Sequence, residues 1–222
     1  MRMRAAAGIH AVAVHNDRET CVPAVRPGAL GGRPADKLGD SEQRRREMEL
    51  AVLLSIQPQW CEKIASGEKT VEVRKTVPKL KTPFKCYMYC TKGKTFLYRN
   101  PNNGELFLDS NGGYRGGDYE HRYLTGKVIG EFMCDWVLEI TPHCDIDGYI
   151  NQYIHKYPAI LGDDCLSFEQ MLAYLGNKKG FDWHISELKI CDKPKELGEC
   201  VSCNGGSIKR PFQSWGYVCL SK

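Results

Sequence analysis

Ser55-Ile56-Gln57-Pro58-Gln59-Trp60-Cys61-Glu62-Lys63-Ile64-Ala65-Ser66-Gly67-Glu68-Lys69-Thr70-Val71-Glu72-Val73-Arg74-Lys75 sets three consecutive backbone conformations. The apolar run 51–56 that leads into it reads as a short buried strand, closed by Gln57-Pro58. Proline has no N–H to lose in a first helical turn, so Pro58 suits a helix start. Trp60, Cys61, Ile64 and Ala65 then recur at helical spacing, and Gly67 supplies the left-handed residue that ends a helix. From Thr70 the period becomes two. Val71 and Val73 point one way; Thr70, Glu72 and Arg74 point the other.

Working outward, residues 84–91 read as a third strand, with Lys85, Tyr87 and Tyr89 on one face and Cys86, Met88 and Cys90 on the other. Residues 100–122 are dense in Asn, Gly and Pro and predict an extended hairpin or a flexible loop. Residues 127–137 read as one long strand. Residues 146–154 and 167–175 read as helices, the second with Ser167 as N-cap and Gln170 at the capping-box position. Residues 183–190 and 215–220 supply closing strands. No internal repeat is present. Short strands, few helices and Gly-rich turns predict an α+β domain built as a small mixed β-barrel rather than a βαβ sheet.

The 222 residues are 42% hydrophobic and 26% charged, which suffices for an ordinary core without covalent staples. Eleven cysteines, an odd number scattered through strand-like and helix-like segments, fit reduced thiols in a cytoplasm better than a disulfide framework. No apolar run approaches the ~18–20 residues that span a bilayer, and no secretory signal is evident. No cofactor is implied. Residues 1–47 stand apart: rich in Ala, Gly, Pro and Arg, without Phe, Trp or Tyr, they lack the apolar surface to offset their ordering entropy. They read as a disordered basic tail or as a start placed too far upstream. Arg44-Arg45-Arg46-Glu47 can be encoded by a purine run resembling a bacterial ribosome-binding site just before Met48. The folded domain is therefore expected over residues 48–222.

Within that domain charge is distributed unevenly. Residues 63–99 hold ten Lys/Arg and two acids, whereas residues 100–199 hold nine basic and seventeen acidic residues. Such asymmetry can steer anions to one face. Tyr87, Tyr89 and Tyr98 interleave with the lysines, and aromatic faces beside cations suit the stacked bases of single-stranded nucleic acid. A lysine run also serves as a plain solvated face, and strand tyrosines are often core.

The opening stretch closely resembles that of ASCH domains, a PUA-like family: strand, Pro, short helix, Gly-x-Lys-Thr, then a strand with Glu-x-Arg. Gly126-Lys127-Val128-Ile129-Gly130-Glu131-Phe132 is similar to their later barrel strand. The tail Trp183-His184-Ile185-Ser186-Glu187-Leu188-Lys189-Ile190, with Lys193-Pro194-Lys195-Glu196-Leu197 and Pro211-Phe212-Gln213-Ser214-Trp215-Gly216-Tyr217-Val218, looks like the bacterial, prophage-type members. The resemblance spans residues 50–220. It implies a barrel related to RNA-binding domains with a cleft beside Gly-x-Lys-Thr, hence RNA or a modified nucleotide as partner. Lys69, Thr70, Glu72, Arg74 and Lys75 are the expected ligand-binding residues, with Lys and Arg suited to phosphate and Glu72 to a base edge or sugar. The alternative is a plain cross-strand ion pair of Glu72 with Arg74 or Lys69, with these side chains at the surface.

Some ASCH proteins are implied to be amidohydrolases on acetylated cytidine and others ribonucleases, so Lys69, Thr70 and Glu72 are also catalytic candidates. The amidohydrolases place a threonine where this chain has Glu72, which removes the expected hydroxyl nucleophile. His184 offers an acid or base, although a lone His beside Trp183 is more often structural. Cys200 and Cys203 have the spacing of half a zinc knuckle, without an evident second half. A binding module and a small hydrolase both stay open at this point.

Overall fold

The computed structural model describes residues 49–110, 123–156 and 163–220. The tail 1–47, residues 111–122 of the expected 100–122 loop and the segment 157–162 lie outside the described residues. Strand β1 (Glu49–Ile56) leads into helix α1 (Pro58–Ser66) and strand β2 (Val71–Arg74). As the sequence predicts, Pro58 opens α1, and Gly67 closes it at φ 81° with its N–H donating to Ile64 O. A β-carbon is disfavoured at that φ, so glycine stops the helix there at little cost. Helix α1 buries Cys61 and Ile64, and β3 (Phe84–Cys90) follows after a loop.

A six-stranded sheet is ordered β10-β6-β3-β1-β12-β11, with β1 and β3 parallel and the rest antiparallel. Besides β1 and β3 it contains β6 (Lys127–Cys134) and β12 (Trp215–Leu220), with β10 (Ser186–Glu196) and β11 (Val201–Ser202) at its edges. A four-stranded sheet is ordered β2-β9-β7-β8, adding β7 (Val137–Cys144), β8 (Ile150–His155) and β9 (Gly180–His184). Strands β4 (Phe96–Arg99) and β5 (Leu106–Asp109) form a hairpin whose turn opens the stretch 100–122 expected to be an extended hairpin or a loop. Helix α2 (Phe168–Leu175) carries the capping box of Ser167 and Gln170. Among the described residues the protein is thus α+β and dominated by its sheets, and no helix is long and apolar enough to cross a membrane.

Two expectations are corrected. The long strand 127–137 is two strands in different sheets. It breaks at Asp135-Trp136, where Cys134 Sγ–H donates to Trp136 O at 3.3 Å and His184 N–H to the same carbonyl at 3.2 Å. Its partner breaks alongside, because Ile185 separates β9 from β10 and its N–H turns to Thr70 O. The register of β10 on β6 also slips just beyond the corner, between Ser186 and Lys189, with Glu187 at φ 49°. Bulges of this kind bend a strand and raise its twist. One antiparallel ribbon, β6–β10 continued as β7–β9, therefore folds over and joins the two sheets.

The second correction concerns residues 146–154, which form a turn and strand β8 rather than a helix. Asp145 Oδ1 accepts the N–H groups of Asp147 and Tyr149, and Gly148 sits at φ 85°, so the segment turns back on β7. Local side-chain-to-backbone bonds of this type compete with helix formation.

The main core lies on one face of the six-stranded sheet and includes Leu54, Cys86, Met88, Phe132 and Trp183. A second cluster, including Leu53, Tyr87, Tyr89 and Val218, fills the opposite face. The alternation proposed for residues 84–91 is therefore observed over Phe84–Cys90, and both faces of β3 are covered.

Candidate functional site

The strand period that buries Val73 beneath Met171 and Leu175 of α2 sends Glu72 and Arg74 to the other face of β2. There they meet the C-terminal end of β1 and the entry to β12. Arg74 donates from Nη2 to Ser55 O at 2.9 Å and from Nη1 to Ser214 O and Oγ at 3.2 and 3.3 Å. Its Nη2 also lies 2.9 Å from Glu72 Oε1. Lys69 follows the turn after Gly67, and its Nζ donates to Asp164 O and stands 3.5 Å from Glu72 Oε2. The same ammonium lies over the Trp60 ring, 5.4 Å from the centroid.

These three charged residues are buried: Lys69 is 2%, Glu72 6% and Arg74 5% exposed. The surface placement expected from alternation is corrected. An edge strand of the smaller sheet has been roofed by the loop at Asp163–Asp164 and by the chain around Ser214. Two atoms of the triad, Glu72 Oε2 and Arg74 Nε, are buried without a hydrogen bond among the described residues. A buried charge with an incomplete shell is costly unless something completes it.

The triad forms the floor of a cleft of about 800 Å³. Its walls carry Trp60 of α1 and Tyr174 of α2, and the amides of Gln57, Gln59, Gln170 and Gln213 border the same space. Burial raises the Tyr174 phenol above its ordinary range, while Arg74 pulls it back. Lys75 is exposed at the rim and lies 4.9 Å from the centre of the Tyr174 ring. Asp164, behind Lys69, has a carboxyl raised by burial and drawn down by the Leu166 N–H and the lysine charge.

The sequence candidates divide. Lys69, Glu72, Arg74 and Lys75 meet at this cleft. Thr70 does not line it; its Oγ1 accepts the Asp163 N–H at 2.9 Å and its own N–H bonds Asp163 O. His184 also lies outside, stacked on Trp136 at 4.6 Å with Nδ1 2.5 Å from Asp135 Oδ1. Tyr87, Tyr89 and Tyr98 are buried, which overturns their reading as a stacking platform. Cys203 neighbours Cys219 rather than completing a ligand set with Cys200. No group of three or more His, Cys, Asp or Glu is placed to hold a metal among the described residues.

Sequence reasoning missed Trp60, Tyr174, Gln170, Asp164 and Ser214 as site residues. Trp60 looked like helix core, and the other four stand about 90 to 145 positions from Lys69. The Asp163-Asp164 doublet just before a capped helix was the nearest available signal.

No family model matches the sequence, and no curated protein does. Among solved structures the fold is similar to an ASCH protein from Zymomonas mobilis, at 17% identity and a TM-score of 0.45, covering 75% of this chain and 86% of that one. A tyrosine-to-phenylalanine variant of the same protein aligns at 17% identity and 0.45, over 75% of this chain and 88% of that one. A serine-to-alanine variant gives 16% and 0.46, over 75% and 87%.

Proposed function

We propose that this chain is a binding module for RNA or a nucleotide-like ligand, which enters the cleft above Lys69, Glu72 and Arg74. The observation that carries this reading is the buried triad itself, with one net positive charge, under aromatic walls and four side-chain amides. Buried ion pairs are often no more stabilising than apolar residues of similar size. A partner of the cleft gives such a floor a use. Aromatic rings at Trp60 and Tyr174 suit a planar base, Gln side chains suit its edge, and Lys75 at the rim suits a phosphate.

Binding is favoured over hydrolysis. Position 72 carries a carboxylate instead of a hydroxyl, the Thr70 hydroxyl is held by Asp163, and the Lys69 ammonium is already engaged by Asp164 O and Glu72. The folded ribbon joining the two sheets fits a PUA-like barrel, which we adopt as the architecture, with residues 48–222 as the domain. The ASCH-like opening at residues 55–75 supports the same assignment, and a prophage-type bacterial protein of the cytoplasm is part of it.

Calorimetric titration with the four nucleoside monophosphates and with short RNA tests the proposal. Lys75→Ala, at an exposed position, should leave the fold intact and weaken binding roughly three- to tenfold. Absence of binding by the wild-type chain, or full affinity after this change, refutes it.

A further inference from the structure

A second depression of about 550 Å³ opens on the far side of the loop that follows β2. The two cavities are close neighbours. Thr76 lines the first and Val77 the second, and their Cα atoms are about 3.8 Å apart. Arg74, in the floor of the first, is the cross-strand partner of Phe181, in the wall of the second. The intervening loop is pinned on the barrel side: Trp215 Nε1 donates to Thr76 Oγ1 at 3.0 Å and Lys79 N–H to the Tyr217 hydroxyl at 2.6 Å.

The wall of this second cavity combines Val77, Leu80, Phe84 and Phe181 with Lys81, Lys156 and the carboxylate of Glu139, which Lys179 pairs at 2.8 Å. Lys75, Lys79 and Lys81 are exposed along the loop and form no ion pair with a described residue. An apolar seat with lysines at its rim and its carboxylate already paired, one residue beyond the first seat, follows the pattern of single-stranded nucleic-acid grooves. There lysines track the phosphates while bases rest on apolar and aromatic surfaces.

We infer that the ligand is a single-stranded polynucleotide, with one nucleotide in the triad cleft, its neighbour against Phe181 and Val77, and the linking phosphates on Lys75, Lys79 and Lys81. This deepens the reading of the first cleft and rests on it. A mononucleotide would fill only the first seat.

The test compares the four nucleoside 5′-monophosphates with a mixed-sequence six-nucleotide RNA, using the full chain and fluorescence anisotropy or calorimetry. The hexamer should bind at least tenfold tighter than the best mononucleotide. Lys79→Glu combined with Lys81→Glu should abolish that gain and leave mononucleotide affinity within twofold. The dependence of log K on log salt should fall from a slope of about −2, for three lysine–phosphate contacts, to about −0.7 in this variant. Lys189→Glu with Lys193→Glu, exposed lysines on β10, serves as a control and should change hexamer binding by less than threefold.

Equal loss in that control would reduce the effect to net charge and overturn the second seat. A hexamer bound no more tightly than a mononucleotide would overturn it as well, while leaving the first cleft standing. Absence of binding by mononucleotide and hexamer alike would remove the first reading and this inference together.

Discussion

Replacing Arg74 by alanine is the most demanding test of the site, because its guanidinium ties three chain segments. The change removes charged donors to Ser55 O, Ser214 O and Ser214 Oγ and takes the 2.9 Å partner from Glu72. Glu72 would keep only Lys69, at 3.5 Å. Removing one member of a buried ion pair costs about 3–5 kcal/mol, because the survivor remains desolvated and loses its nearer partner. In a domain of this size about 1 kcal/mol shifts Tm by roughly 2–4 °C, so a fall of roughly 6–20 °C is expected. Urea unfolding followed by far-ultraviolet circular dichroism provides the free energy. The apolar triple Lys69→Met, Glu72→Leu and Arg74→Met should recover much of the loss, since no charge then needs a partner inside. A loss below about 1 kcal/mol for Arg74→Ala would place the group in the range of exposed ion pairs and refute the argument from burial.

Three further outcomes are expected. His155 titrates above its ordinary value, chiefly through its 2.6 Å hydrogen bond to fully buried Asp182, with burial opposing. The folded pKa therefore exceeds the unfolded one, so this stabilisation is complete below the unfolded value and is lost as pH rises through the folded value. Urea midpoints measured across the neutral to mildly alkaline range should fall, and His155→Ala should flatten that slope. Gly130→Ala would set a β-carbon 2.8 Å from Lys189 O, a backbone atom, so a loss of about 1–3 kcal/mol in the urea assay is expected. Burial pushes the Cys219 thiol to about 11 and Cys134 to about 12, whereas Cys144 is exposed. Timed alkylation at neutral pH with peptide mapping should find Cys144 modified well before either.

Local chemistry was legible in the sequence where the cause is local. Pro58, Gly67, Ser167 and Gln170 set their helix ends through neighbours at most four residues away, and the strand faces of β3 follow from its alternation. The break at Asp135-Trp136 was hidden because apolar residues crowd both sides of Asp135; the pairing of His184 with Trp136 O reveals the corner. Residues 146–154 misled because Ile146, Ile150 and Ile154 fall at helical spacing, while the turn made by Asp145 and Gly148 decides otherwise. For the site, Lys69, Glu72, Arg74 and Lys75 were readable from one short motif. Their burial was not, because Asp164 reaches Lys69 across 95 positions and Ser214 reaches Arg74 across 140.

That last separation bears on when the protein can work during its synthesis. Strand β12 lies beside β1 at the middle of the large sheet, so the sheet cannot close until residues 215–220 have emerged from the ribosome. Pairings this distant in sequence form late and slowly. Ser214, the anchor of Arg74, arrives with them. A nascent chain, or a fragment truncated before Ser214, would have α1 and β2 and yet lack the wall that seats the guanidinium. The cleft thus forms only after the chain has been made through Ser214 and β12.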